Sequence, residues 1–133
     1  MRLVETIADI REAADGPRSL GKSIGLVPTM GALHEGHGKL IEKARRESDY
    51  VVVSIFVNPL QFGPSEDFAR YPRDPESDLA FCRRHAVDLV FAPAPQEMYP
   101  REQKTFVEVR DVTRELCGRF RPDHFTGVAT VVL

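Results

Sequence analysis

The residues best suited to chemistry lie in one run, PTMGALHEGH, from Pro28 to His37. Two imidazoles stand three positions apart in it, at His34 and His37. Histidine titrates near neutral pH, so it can donate or accept a proton there. At the start of a helix, i, i+3 spacing puts both rings on one side. They then lie next to backbone N–H groups that have no partner within the helix. Those groups and the helix dipole favour negative charge, at about 0.3–1 kcal/mol for each exposed contact. A phosphate chain is the ligand such a place suits. Gly31 and Gly36 carry no Cβ, which would let the backbone and a nucleotide approach closely.

Other readings compete. A zincin helix needs H-E-x-x-H with histidines at i and i+4, whereas the order here is His34-Glu35-Gly36-His37, so no metal site is expected from this segment. A Walker A loop would place lysine and a hydroxyl where His37 and Gly38 stand. Two ordinary surface histidines at a helix start are the bland reading. The strand–glycine loop–helix context weighs against it.

Positioning the rings requires a strand to end just before the run and a helix to begin inside it. Ser23 to Val27 is a compact apolar run closed by Pro28, which predicts a buried strand. From about Glu35, the residues Leu40, Ile41 and Ala44 recur at helical spacing, with Lys43, Arg45 and Arg46 near the far end where cations complement the dipole. Val51 to Val57 is rich in β-branched residues and runs into Asn58-Pro59, a strong breaker pair. Leu3 and Val4 suggest a first strand, and the helix that follows should end near Gly16–Pro17. Leu60 to Pro75 reads as a long loop with at most a helical turn, Glu76 to His85 as a helix, and Val87 to Phe91 as another buried strand. Thr105 to Val109 alternates like a further strand, and Asp111 would cap a short helix stopping at Gly118. Strands alternating with helices, apolar on both faces, indicate an α/β fold with a parallel sheet covered on both sides.

Composition narrows the function classes. The 133 residues fit one domain, and 42% hydrophobic with 29% charged residues allows a sizeable core without staples. A net charge of −2 speaks against a nucleic-acid partner. No apolar run approaches the ~18 residues of a membrane span, so no membrane association is expected. Glu5, Asp9 and Glu12 interrupt any signal-peptide pattern, which points to a cytoplasmic protein. Cys82 and Cys117 form no C-x-x-C pair and read as free, buried thiols.

The histidine run resembles the H-x-G-H signature of the nucleotidyltransferase superfamily. Longer blocks narrow the likeness: LVPTMGALHEGH from Leu26, VVVSIFVNPLQF from Val51, EDFARYPR from Glu66, DLVFAP from Asp88, Met98-Tyr99-Pro100, and FRPDHFTGVATVV from Phe120. Together these resemble the pantothenate synthetase (pantoate–β-alanine ligase) family over nearly the whole chain. The resemblance implies a Rossmann-like, mostly parallel sheet of nucleotidyltransferase type. It implies a ligase that forms pantoyl adenylate from pantoate and ATP, with Mg²⁺ on the phosphates, then releases AMP as β-alanine attacks.

By the family pattern, Met30, Gly31, Ala32, Leu33, His34, Glu35, Gly36 and His37 line the ATP site. His34 and His37 contact the phosphates as the catalytic pair, and Asn58 and Gln61 match polar residues near pantoate. The loop from Phe62 to Pro75 corresponds to a gate, in which Arg70, Tyr71 and Arg73 fix packing or salt bridges. Periodicity alone allows a strand at Gly127 to Leu133, where the resemblance implies a helix. Asp123 stands where the family usually has glycine, and Gly38 is unusual inside a helix. The family continues past this point into further phosphate-binding segments and a small C-terminal domain, so residues 1–133 read as a truncated ATP- and pantoate-binding domain. A homodimer is expected by likeness alone. The runner-up readings are an adenylyltransferase with another acceptor and a non-catalytic nucleotide-binding fragment.

Overall fold

A computed structural model describes residues 1–63, 68–113, 115 and 117–133. The chain divides into two compact units. The first comprises Met1–Val57 with Pro72–Met98, and the second Asn58–Tyr71 with Tyr99–Leu133.

The first unit is a four-stranded, all-parallel sheet in the order β1-β4-β3-β2. Its strands are β1 (Arg2–Val4), β2 (Ile24–Thr29), β3 (Tyr50–Ile55) and β4 (Leu89–Phe91). Helix α1 (Ile7–Ser19) supplies Ile10 and Ala13 to one face, against Val4, Val52 and Leu89. Helices α2 (Glu35–Glu47) and α3 (Pro75–Arg84) cover the other face with Ile41, Phe81 and Cys82, against Val27, Val51, Val53 and Val90. Val51 and Val53 point to one side and Val52 to the other, which is why β3 needs apolar residues on both faces. The α/β fold with helices on both faces is as the alternating pattern predicts. A short helix, α4 (Pro95–Met98), closes the unit.

Several expectations need correction. Helix α1 runs through Gly16 and Pro17 to Ser19. Pro17 lacks the N–H that would bond Ala13 O, so the last turn of the helix runs one hydrogen bond short. Gly21, at φ +70°, ends the helix instead. Its N–H bonds Arg18 O (2.9 Å) while Lys22 N–H bonds Pro17 O (3.0 Å), a Schellman closure. Strand β2 includes Pro28 and lies at the sheet edge, where a proline is tolerated. Only Val27 in it is buried, and Leu26 is exposed. Gly38 packs α2 closely onto α3, because a Cβ there would sit 2.8 Å from His85 Nε2. Cys82 is a free, buried thiol, pushed up to about 11 by burial and then by Asp78, and so chemically quiet.

Among its described residues, the second unit holds two 3₁₀ turns, Pro59–Gln61 and Phe68–Arg70, and helices α5 (Cys117–Phe120) and α6 (His124–Val132). Part of the expected gate, residues 64–67, lies outside the described residues, as do Arg114, Leu116 and the side chain of Cys117. The ring of Tyr71 packs edge-on to Phe62, with centroids 5.7 Å apart. Thr105–Val109 is not a strand: it joins no ladder, and Val107 N–H donates to the Thr130 hydroxyl at 2.9 Å. Asp111 sits at φ +67° in a turn, and Gly118 lies inside α5 rather than ending a helix. The carboxy-terminal apolar run is helical, as the resemblance implies and periodicity alone does not. Asp123 adopts φ −92° before α6, so the position needs no glycine.

Candidate active site

Strand β2 ends at Thr29 and the chain turns through Met30–Leu33 into α2, whose N-cap is His34. Two left-handed residues make the turn: Gly31 at φ +82° and Ala32 at φ +52°. Glycine takes this conformation without strain, whereas alanine is held there against its preference. The holder is Asp78 on α3, only 3% exposed. Its Oδ2 accepts from Ala32 N–H at 3.0 Å and its Oδ1 from Leu33 N–H at 2.7 Å. A Cβ on residue 31 would lie 2.8 Å from that carboxylate, a second reason for glycine. Gly31 N–H is taken by Thr29 Oγ1 at 3.2 Å, and the Thr29 hydroxyl donates to Ser54 O at 2.7 Å.

The two histidines cap α2 reciprocally. His34 Nδ1 accepts from Gly36 N–H at 3.1 Å, and His37 Nδ1 accepts from His34 N–H at 3.2 Å. Gly36 makes room for this, since a Cβ would meet the His34 ring at 2.8 Å. An Nδ1 that accepts a hydrogen bond carries no proton, so in the neutral rings both protons sit on Nε2. Neither Nε2 has a partner among the described residues. The ring centroids are 4.2 Å apart. His37 is half-buried, and its pKa is lowered by burial and then by His34, with Asp78 opposing. It is therefore neutral at pH 7.

This changes the chemistry expected from the sequence. The amides of Gly31, Ala32, Leu33, His34 and Gly36 are engaged within the protein rather than open to a ligand. What the turn presents is two neighbouring donors, the Nε2–H groups, at the positive end of a helix. Asp78 is the participant that sequence reasoning missed. Its signal was a carboxylate at i of an i, i+3, i+4 apolar face shared with Phe81 and Cys82.

Of the residues expected at the site, Met30 to His37 are gathered in this turn of the first unit. Asn58 and Gln61 belong to the second unit, where they bond each other: Asn58 Nδ2 donates to Gln61 Oε1 at 3.1 Å. Both are buried. Asn58 also caps the Pro59–Gln61 turn through Leu60 N–H at 3.2 Å, so the turn-forming role of an Asn-Pro pair is present too.

A parallel sheet that delivers a histidine pair at a helix start from the carboxyl end of a strand defines an α/β domain of nucleotidyltransferase type. Comparison with known proteins carries the assignment further. The family model described as pantoate-beta-alanine ligase matches residues 2–133. The pantothenate synthetase of Acetivibrio thermocellus is 55% identical over 99% of this chain, and that of Moorella thermoacetica is 57% identical. The crystal structure of pantothenate synthetase from Thermus thermophilus superposes with a TM-score of 0.90 at 54% identity, covering 99% of this chain and 46% of its own. The Francisella tularensis ligase, solved in complex with beta-gamma ATP and beta-alanine, superposes at 0.86 with 39% identity, over 99% of this chain and 51% of its own. This chain belongs to the pantoate-beta-alanine ligase family. It spans about half the length of the curated relatives it matches, 47% in the A. thermocellus case.

Proposed function

We propose that this chain carries the nucleotide-binding histidines and a pantoate-binding glutamine of an ATP-dependent ligase that joins pantoate to β-alanine. The carboxylate of pantoate attacks the α-phosphorus of ATP, and pyrophosphate leaves. The amine of β-alanine then attacks the acyl carbon, loses a proton, and displaces AMP to give pantothenate. A carboxylate resists an amine until one of its oxygens belongs to a good leaving group, which is what the first step provides. Most of the acceleration comes from alignment and from donors placed where charge develops.

In this reading the Nε2–H groups of His34 and His37 donate to phosphate oxygens and stabilise the charge on departing pyrophosphate. Met30, Gly31, Ala32, Leu33, Glu35 and Gly36 shape the turn around the nucleotide, and Gln61 with Asn58 serves pantoate. The observation that carries the reading is the pair of backbone-capped rings, each with its proton on Nε2. The Francisella relative complexed with beta-gamma ATP and beta-alanine supports the nucleotide and the amine.

Among the described residues no group of three or more His, Cys, Asp or Glu side chains is arranged to hold a metal ion. In this reading Mg²⁺ arrives with the substrate, as the companion of the ATP phosphates. We extend the reading to a homodimer in the cytoplasm, with small molecules rather than nucleic acid or membrane as partners. The homodimer is carried over from the family likeness alone, and the net charge of −2 speaks against nucleic acid. No helix among the described residues is long and apolar enough to cross a membrane.

The test is AMP formation by the complete gene product. The expected outcome is AMP that requires both pantoate and β-alanine. Equal AMP formation with and without β-alanine would remove the ligase assignment.

A further inference from the structure

We infer that Asn58 is a positioning residue that fixes the polarity of Gln61, so that Gln61 offers a hydrogen-bond donor to the acid substrate and not an acceptor to the amine. The inference rests on the proposed ligase reading and assigns a direction to one of its contacts.

Asn58 is 1% exposed, and its amide could in principle face either way. Its Nδ2 lies 3.0 Å from Gly127 O, a carbonyl that can only accept. Its Oδ1 lies 3.2 Å from Leu60 N, an amide that can only donate. The orientation of Asn58 is thereby settled, and the Tyr99 hydroxyl adds a donor to Oδ1 at 2.9 Å. The second Nδ2 proton points at Gln61, 3.1 Å away, and meets a hydrogen bond only if Gln61 turns its oxygen inward. The Gln61 NH₂ is then left facing away, with no partner among the described residues.

The backbone of Gln61 is held as firmly. Its N–H bonds Asn58 O at 3.1 Å, and its carbonyl receives Arg121 Nη2 and His124 Nδ1, each at 3.1 Å. Helix α6 lies directly on the turn: a Cβ on Gly127 would be 2.2 Å from Leu60 O and 2.8 Å from Gln61 N. Only glycine allows that approach, and it is the approach that brings Gly127 O to Asn58.

Two consequences follow. Asn58 has both donors and both acceptor positions engaged within the protein, so it has none left for a ligand. The ligand atom that meets Gln61 must be an acceptor, a carboxylate or hydroxyl oxygen. Pantoate carries such oxygens. The ammonium of β-alanine would meet a donor with a donor.

A double-mutant cycle on the complete gene product tests this, with KM for pantoate and for β-alanine measured separately. Asn58→Ala and Gln61→Ala should each raise the pantoate KM about tenfold, the scale of one hydrogen bond to a charged acceptor, and leave the β-alanine KM unchanged. The double variant should be no worse than Gln61→Ala alone. Additive losses, near a hundredfold, would mean that Asn58 touches the substrate itself and would overturn the inference, as would a rise in the β-alanine KM.

Where Asn58→Ala does not fold, side-chain amide exchange in the wild-type protein decides. Slow exchange of both Asn58 Nδ2 protons with fast exchange at Gln61 Nε2 is expected, and the reverse would contradict it. That readout needs no turnover. An inactive enzyme with the expected exchange pattern would therefore sink the ligase reading while leaving the orientation of Gln61 standing.

Discussion

The histidine turn is held by a carboxylate, the Asn58 turn by a neutral amide. Both follow a strand, β2 in one case and β3 in the other, and both end by leaving side-chain N–H donors without protein partners among the described residues. The holders differ because the things held differ. Ala32 and Leu33 present two backbone N–H groups, and a carboxylate gives each an oxygen of its own. Gln61 presents an amide with two possible faces, and choosing between them takes a partner with a donor of fixed direction. A carboxylate cannot do that, because it only accepts. The charged holder fixes backbone shape, and the amide holder fixes polarity.

Reciprocal swaps of the two holders would break that comparison if it is wrong. The largest effect is expected from Asn58→Asp. It sets a carboxylate oxygen against Gly127 O in a buried place, at a cost of about 3–5 kcal/mol. Urea unfolding should show this loss near neutral pH and a partial recovery in acid, where the carboxyl can carry a proton. A loss under about 1 kcal/mol, the scale of one ordinary hydrogen bond, would mean that the amide polarity is not fixed. Asp78→Asn comes next, at about 2 kcal/mol. One oxygen still accepts, but an NH₂ now faces a backbone N–H. Its ATP affinity should fall with it, because Ala32 is no longer held at φ +52°.

The smallest effect sharpens the histidine side of the comparison. His37 has its pKa lowered from 6.5, first by burial and then by His34. Between the folded value and 6.5 the unfolded chain binds more protons, so stability rises with pH across that window. The contribution is fully present above 6.5 and is lost as pH falls through the folded value. Urea midpoints on either side of that pH should differ more for the wild type than for His37→Gln, which removes the group. Equal differences would contradict the assignment.

What the sequence made legible was local or periodic. Gly31, the His34–His37 spacing and the apolar run of β3 sit within one element or one turn, and their patterns state their roles. The end of α1 was misread because Pro17 is a conspicuous breaker, while the residue that closes the helix is Gly21, after the unremarkable Leu20. Thr105–Val109 has strand alternation, but a strand exists only if another pairs with it, and its Val107 N–H is directed elsewhere. Asp78 lies 45 residues from Leu33, whose amide it holds, and Asn58 lies 69 from Gly127, distances that no window of sequence spans. The histidine run of the site was therefore visible, but its support was not. The amides expected to face the nucleotide are the ones Asp78 and the ring Nδ1 atoms occupy, which sequence spacing had no way to register.

Nitrogen NMR of the histidine side chains, with and without MgATP, tests the central claim most directly, because imidazole ¹⁵N shifts report which nitrogen carries the proton. The expected result is a proton on Nε2 and none on Nδ1 in both His34 and His37 of the free protein. Added MgATP should then slow exchange and shift both Nε2–H signals, with Nδ1 unprotonated throughout. Protons on Nδ1, or Nε2 signals that stay unmoved at saturating nucleotide, would contradict the account.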